Sequence, residues 1–178
     1  MRLIVALMSL IWLVPAASLA GDDNPYKKAK IGDWIEYRLT GTIQGTTKMT
    51  VVAKDDKEVL LEVTGTYSFM GMETAVPKQI QKIDLTKDYD AISAANLKSN
   101  NTKIDKVGEG TEKLKVGGKE FETKWKRLKS TTDVQGTTVV NEFKMWFSKD
   151  TPLGGLVRMD TTASGVNTKL ELVDSGSK

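Results

Sequence analysis

Residues 143–162 read FKMWFSKDTPLGGLVRMDTT, and this stretch decides the fold class. Phe143, Met145 and Phe147 alternate with Lys144, Trp146 and Ser148. That period of two is the signature of a β-strand with one buried face. Thr151-Pro152-Leu153-Gly154 follows as a turn: proline presets φ at the second position, and glycine at the fourth suits a type I turn. Leu156, Val157 and Met159 then resume an extended pattern. Trp146 falls opposite the Phe143, Met145 and Phe147 face, where it is either exposed or lines a pocket.

The same alternation extends in both directions. In a first strand over 34–43, Ile35, Tyr37, Leu39 and Ile43 share one face, and Gln44-Gly45 is read as its hairpin turn. A second strand over 46–54 puts Met49, Val51 and Ala53 on one face, and Asp55-Asp56-Lys57 turns the chain again. A third, from Glu58 to about Phe69, groups Val59, Leu61, Val63, Tyr67 and Phe69. A fourth over 74–85 carries Pro77, which pushes it to a sheet edge because proline cannot donate to a ladder. Residues 112–116 and 119–131 form a hairpin across Gly117-Gly118, with Leu114, Val116, Phe121 and Trp125 as inward candidates. Further strands follow over 139–148, 156–162 and 169–173. The one helical stretch is 87–101, where Asp88 or Asp90 could cap a helix over Ala91, Ile92, Ala94, Ala95 and Leu97. The expected fold is mainly β: an antiparallel meander of about nine or ten strands with one short helix, closing as a half-barrel, barrel or sandwich.

The chain divides into four parts. Residues 1–20 read as a signal peptide: Arg2 precedes a largely apolar run over 3–14, too short for the roughly 30 Å hydrocarbon core, and Ser18 and Ala20 supply small residues before Gly21. The alternative is an uncleaved anchor. Residues 21–30 read as a flexible lead-in, 31–174 as a single β-rich domain and 175–178 as a polar tail. Removing residues 1–20 from the 178 leaves 158, enough for a core without staples. Localisation is exported, periplasmic or secreted, with no transmembrane segment after cleavage.

Composition narrows the chemistry. The chain has neither cysteine nor histidine, which excludes Ser-His-Asp and Cys-His catalysis and argues against zinc. Of 26 basic residues one lies in the signal segment, so 25 basic face 23 acidic residues, formally +2, with the signs interspersed. That is no nucleic-acid footprint. Lys113, Lys115, Lys119, Lys124, Lys126, Arg127 and Lys129 crowd one hairpin. They read as an exposed face that blunts a sheet edge, or as a contact for anionic lipid or an acidic polymer. Asp84, Asp88 and Asp90 are the one cluster of carboxylates that could be asked to do acid–base work, but caps and turns employ such residues equally well. The expectation is a protein that is not an enzyme, with no catalytic residues, no metal and no cofactor.

Candidate ligand-binding residues are Phe69, Met70, Met72, Trp125 and Trp146. Met70-Gly71-Met72 interrupts the meander directly after Phe69, and methionine is soft enough to line an adaptable apolar rim. A bend with two core methionines is the alternative. Trp34 stands nine residues before Ile43-Gln44-Gly45-Thr46-Thr47, and Trp125 nine before Val134-Gln135-Gly136-Thr137-Thr138. This echo is either the trace of a duplication or two hairpins sharing one turn solution.

The strand series, the lid-like helix and the signal peptide together resemble exported bacterial proteins of the lipoprotein-carrier (LolA/LppX) type. That resemblance implies a cupped, incompletely closed antiparallel sheet with helices over its hollow. The stretch from Trp146 through Thr151-Pro152-Leu153-Gly154-Gly155-Leu156 also resembles small uncharacterised exported domains. Two functions follow as expectations: a lipid or other apolar ligand held in the cupped sheet, or a structural or interaction domain of the cell envelope. Partners would be a lipid or lipoprotein, or an envelope protein or polymer. The signal-peptide reading predicts that N-terminal sequencing of the exported protein returns Gly21; recovery of Met1 would refute it.

Overall fold

The computed structural model describes residues 24–87, 102–134, 137–163 and 165–177. Nine strands are present among them: β1 (Trp34–Gly41), β2 (Ile43–Lys54), β3 (Glu58–Phe69), β4 (Met72–Asp84), β5 (Thr102–Val116), β6 (Lys119–Val134), β7 (Thr137–Phe147), β8 (Leu156–Ala163) and β9 (Val166–Gly176). All are antiparallel in one open sheet of order β4-β3-β2-β1-β9-β8-β7-β6-β5. Strands successive in the chain pair with one another, apart from β4 and β5, and β1 pairs with β9 at the centre. With β4 and β5 left as edges, the sheet is neither a closed barrel nor a sandwich. The short helix expected over 87–101 lies, beyond Lys87, outside the described residues, as does the stretch 1–20 read as a signal peptide.

One face of the sheet is buried. Ile35, Tyr37, Met49, Val51, Val59, Leu61, Phe143, Phe147 and Leu156 are all within 1 % of complete burial and share one core cluster spanning both wings. These are the residues that the alternating pattern places inward. A single sheet buries such a face only by curling on itself, and the chain has devices for this at specific places. Gly45 and Gly65 stand where the backbones of β2 and β3 leave no room for a side chain: a Cβ on Gly45 would lie 2.1 Å from Thr66 O, and one on Gly65 2.1 Å from Thr46 O. Glycine here permits a bend that any side chain would block. Beside it the register of β3 and β4 slips between Val63 and Gly65, and Pro77 lies in the slipped segment of the edge strand, where no donor is required. The hairpin turn predicted at Gln44-Gly45 therefore sits three residues earlier, with Gly41 at φ 114° and Thr42 between the strands.

The β5–β6 hairpin runs past the end of β7, whose last pair is Phe147 with Lys124. Its projecting arm folds over the lower end of the core. Val116 is buried, Leu114 and Phe121 pack against the cluster, and a Cβ on Gly117 in the turn would lie 3.9 and 4.0 Å from the Leu172 and Val173 carbonyls of β9. The buried parity in β6 accordingly changes from Leu128 and Ser130 to Thr123, whose hydroxyl donates to Glu112 O at 2.6 Å. Trp125, expected inward in step with Phe121, instead lies out of step with Leu128 and Ser130 and pairs with Trp146 on the outer face.

Three other expectations are corrected. Residues 24–29 belong to the fold and are not a flexible lead-in. Pro25–Lys28 form a 3-10 turn capped by the Asn24 side chain, which accepts from Tyr26 N. Tyr26 is fully buried in the core. Asn24 Nδ2 donates to Asp84 O at 3.0 Å, and Lys54 Nζ donates to Lys27 O and Ala29 O. Next, β9 runs to Gly176, which pairs with Trp34, so the polar tail begins later. Finally, Leu153 has φ 49°, which excludes a type I turn over 151–154. Its side chain is buried in the core, and Gly155 N closes onto Pro152 O at 3.3 Å instead.

The bend at the glycine crossing gives a direct expectation. Gly45→Ala should cost about 1–3 kcal/mol through backbone overlap, read as a lower urea midpoint with an unchanged slope. A midpoint equal to that of the unsubstituted protein would rule out a bend that depends on glycine.

Candidate functional site

The sequence candidates separate into two places on opposite wings. Phe69 pairs with Met72 at the upper end of β3–β4, and Met70 occupies the turn between them. Phe69 is half-buried, while Met72 and Met70 are 68 % and 83 % exposed. Trp125 and Trp146 pair with each other across β6 and β7, on the outer face.

At the upper end of the inner face the packing loosens. Leu39 and Tyr67 flank Gly45 in one row, and Ile43 and Phe69 form the next. Leu39, Tyr67 and Phe69 are only half-buried, as is Ile104 on β5. The other wing contributes small polar side chains at inward positions. Ser130 pairs with Asn141, Thr161 with Phe143, and the Thr102 and Thr132 hydroxyls lie 2.8 Å apart. Ser130 and Thr161 are buried. Asn141 Nδ2 donates to Ser130 Oγ at 3.4 Å, and its buried Oδ1 finds no hydrogen-bond partner. A buried acceptor left unpaired costs its desolvation, so this oxygen suits an incoming donor. Sequence reasoning placed Leu39, Ile43 and Tyr67 inward without assigning them to a site, and passed over Ser130, Asn141 and Thr161. The available signal was their parity: each keeps step with Leu128, Phe143 or Met159 and so brings a polar group to an apolar face.

The outer face is a brace with its charges already matched. Lys144 Nζ sits 4.7 Å from the Trp125 ring centre and 4.5 Å from that of Trp146, and Arg158 stacks on Trp146 at 5.0 Å. Cation–π contacts of this kind contribute about 0.5–1 kcal/mol at exposed sites. Trp146, 5 % exposed, donates its indole N–H to Glu112, which also pairs with Lys144 at 3.0 Å. Arg158 forks onto Asp160 at 2.7 and 2.6 Å and approaches Glu171 at 3.7 Å. The Glu112 carboxyl is held below the usual carboxylate range, first by the Trp146 N–H and then by Lys144. Asp160 keeps the Arg158 guanidinium still more firmly protonated. Neither cation is left to attract an anion. The crowded basic hairpin is likewise tempered by Lys113 with Glu120 and Glu122, and Arg127 with Glu142.

The two tryptophans of the sequence echo occupy matching settings. Trp125 lies over Gly110, its cross-strand partner, with Lys144 on the diagonal beside Arg127. Trp34 lies over Gly176, also its partner, with Lys48 on the diagonal beside Glu36 and 4.0 Å from the ring. In each case an indole covers a bare glycine backbone and a lysine covers the indole.

Of the three aspartates, Asp88 and Asp90 lie outside the described residues. Asp84 accepts from the Thr86 hydroxyl and N–H, which with Lys87 lower its pKa to about 2. Among the described residues no three Asp or Glu side chains gather as metal ligands, and no helix is long and apolar enough to cross a membrane.

No protein-family model matches the sequence, and no curated protein sequence does. Similar solved structures include a candidate exported protein with a YmcC-like fold from Bacteroides fragilis. It is 9 % identical, with a TM-score of 0.49 over 83 % of this chain and 97 % of that one. A candidate lipoprotein from Parabacteroides distasonis is 12 % identical, with a TM-score of 0.49 over 83 % of this chain and 96 % of that one. Neither is described as a lipoprotein carrier, so that resemblance stays at the level of sequence.

The Glu112 contacts imply a pH response. A carboxyl whose folded pKa is depressed contributes stability that is present above its unfolded value, about 4.3, and lost as the pH falls through its folded value. Tryptophan emission should therefore step below about pH 4.3 as the Trp146–Glu112 bond is lost, and Glu112→Gln should abolish that step. An identical step in the variant would detach it from Glu112.

Proposed function

We propose that the chain is an exported, non-enzymatic protein that holds a lipid or another apolar ligand against the upper inner face of its curled sheet. The observation that carries this is the half-buried group of Leu39, Tyr67 and Phe69 beside the closed core of the same face. Aromatic and aliphatic side chains left half-open on a concave surface favour an apolar occupant. The unpaired Asn141 Oδ1 on the facing wing would accept from a hydroxyl or amide of a head group. The apolar run over 3–14 supports export. The non-enzymatic reading is supported by a sequence without histidine or cysteine and by the employment of Asp84 in a turn.

A second reading, a structural or interaction domain of the envelope without a pocket, is favoured by the lower inner face, where Tyr26, Tyr37 and the β5–β6 arm pack solidly. Titration with a fluorescent fatty acid separates the two. Saturable binding is expected, weakened about tenfold by Phe69→Glu through the loss of one apolar contact. No saturable signal, together with no co-purifying lipid in native mass spectrometry, would sink the ligand reading and leave the domain without a pocket.

A further inference from the structure

The hairpin joining β3 to β4 ends in Met70-Gly71, both with positive φ, 52° and 80°. A two-residue turn with this backbone selects Asn-Gly or Gly-Gly, since a side chain at the first position meets the steric penalty of the left-handed region. Met70 bears that penalty without burying its side chain, the most exposed large hydrophobic among the described residues. Met72 follows, also exposed, and its partner Phe69 continues the strip inward to Ile43. Neither turn chemistry nor core packing accounts for two methionines here. Strain kept at an exposed position points to use.

The surroundings indicate what the tip meets. Residues 64–76 read TGTYSFMGMETAV, with Glu73 as their one charge, in a chain that is 28 % charged. A protein-binding patch of ordinary composition has a polar, charged rim. A tip without lysine or arginine has nothing to attract an anionic surface, and nothing charged except Glu73 to desolvate. Long unbranched methionine side chains adapt to a partner without fixed shape. We infer that Met70 and Met72 form an apolar tip that enters the interfacial region of a lipid bilayer, with zwitterionic head groups sufficing for contact. The tip lies at the same end of the sheet as the half-buried row, so it would bring that opening to the membrane. The insertion does not depend on a ligand being held there.

The absence of cysteine makes a local readout available. Met70→Cys and, at the opposite end, Lys119→Cys would each carry an environment-sensitive fluorophore on the full chain, mixed with phosphatidylcholine vesicles. A blue shift at position 70 and none at position 119 is expected. Unlabelled Met70→Glu/Met72→Glu should co-sediment with those vesicles about tenfold or more less well than the unsubstituted chain, two apolar contacts being lost, with an unchanged circular dichroism spectrum. No shift at position 70, an equal shift at both positions, or undiminished sedimentation of the double variant would overturn the inference. So would a dimer in light scattering that the double variant dissociates, because the tip would then be a self-contact. Vesicle binding can fail while the fatty-acid titration succeeds, and the reverse, so the two readings fall separately.

Discussion

A sheet with one apolar face cannot remain flat in water, and this constraint governs the rest of the molecule. The alternating residues of nine strands supply far more hydrophobic surface than the short 3-10 turn at the amino end can cover. With no second sheet among the described residues, the strands must wrap around their own side chains. The local irregularities serve that wrapping. Gly45 and Gly65 allow β2 and β3 to bend, the slips at Val63, Lys106 and Trp146 redirect the ladder, and the β5–β6 arm folds back across the lower opening. Tyr26 then fills what the strands leave, tethered by Lys54 and Asn24.

The outer face answers a complementary need. A strongly coiled sheet exposes its convex backbone, most of all at glycines. Trp34 over Gly176 and Trp125 over Gly110 shield that backbone, and Lys48 and Lys144 shield the indoles in turn. Glu112, Arg158 and Asp160 extend the cover across β5, β7 and β8. Water is thereby kept from the outer side of the same strands that pack inward, and Trp146 becomes nearly as buried as the core although it faces away from it.

Much of this was legible in the chain, and the misses have physical causes. Period-two patterning placed Ile35, Tyr37, Met49, Leu61 and Phe143 inward, because burial on one face leaves that trace directly. Pro77 announced an edge for an equally local reason. Gln44-Gly45 misled, because glycine serves a close strand crossing as readily as a turn, and the difference lies in Thr66 on another strand. Trp125 misled because β6 changes parity where the arm bends, an event set by where β7 stops. Tyr26 was hidden among polar neighbours whose partners, Asp84 and Lys54, are distant in sequence. Of the candidate site, Phe69, Met70 and Met72 were visible as an oddity beside a glycine. Asn141 and Ser130 were not, since a polar residue at an inward position shows its meaning only when the facing wall is known.

The central ladder also carries a kinetic consequence. The seven other strand pairings join strands successive in the chain and can zip as hairpins, whereas β1 must find β9, pairing residue 34 with residue 176. Closing so long a loop spends chain entropy before any contact repays it, and topologies dominated by such contacts fold slowly. Two half-sheets can therefore form early and wait, each with a bare inner face, until β9 has emerged and joins β1.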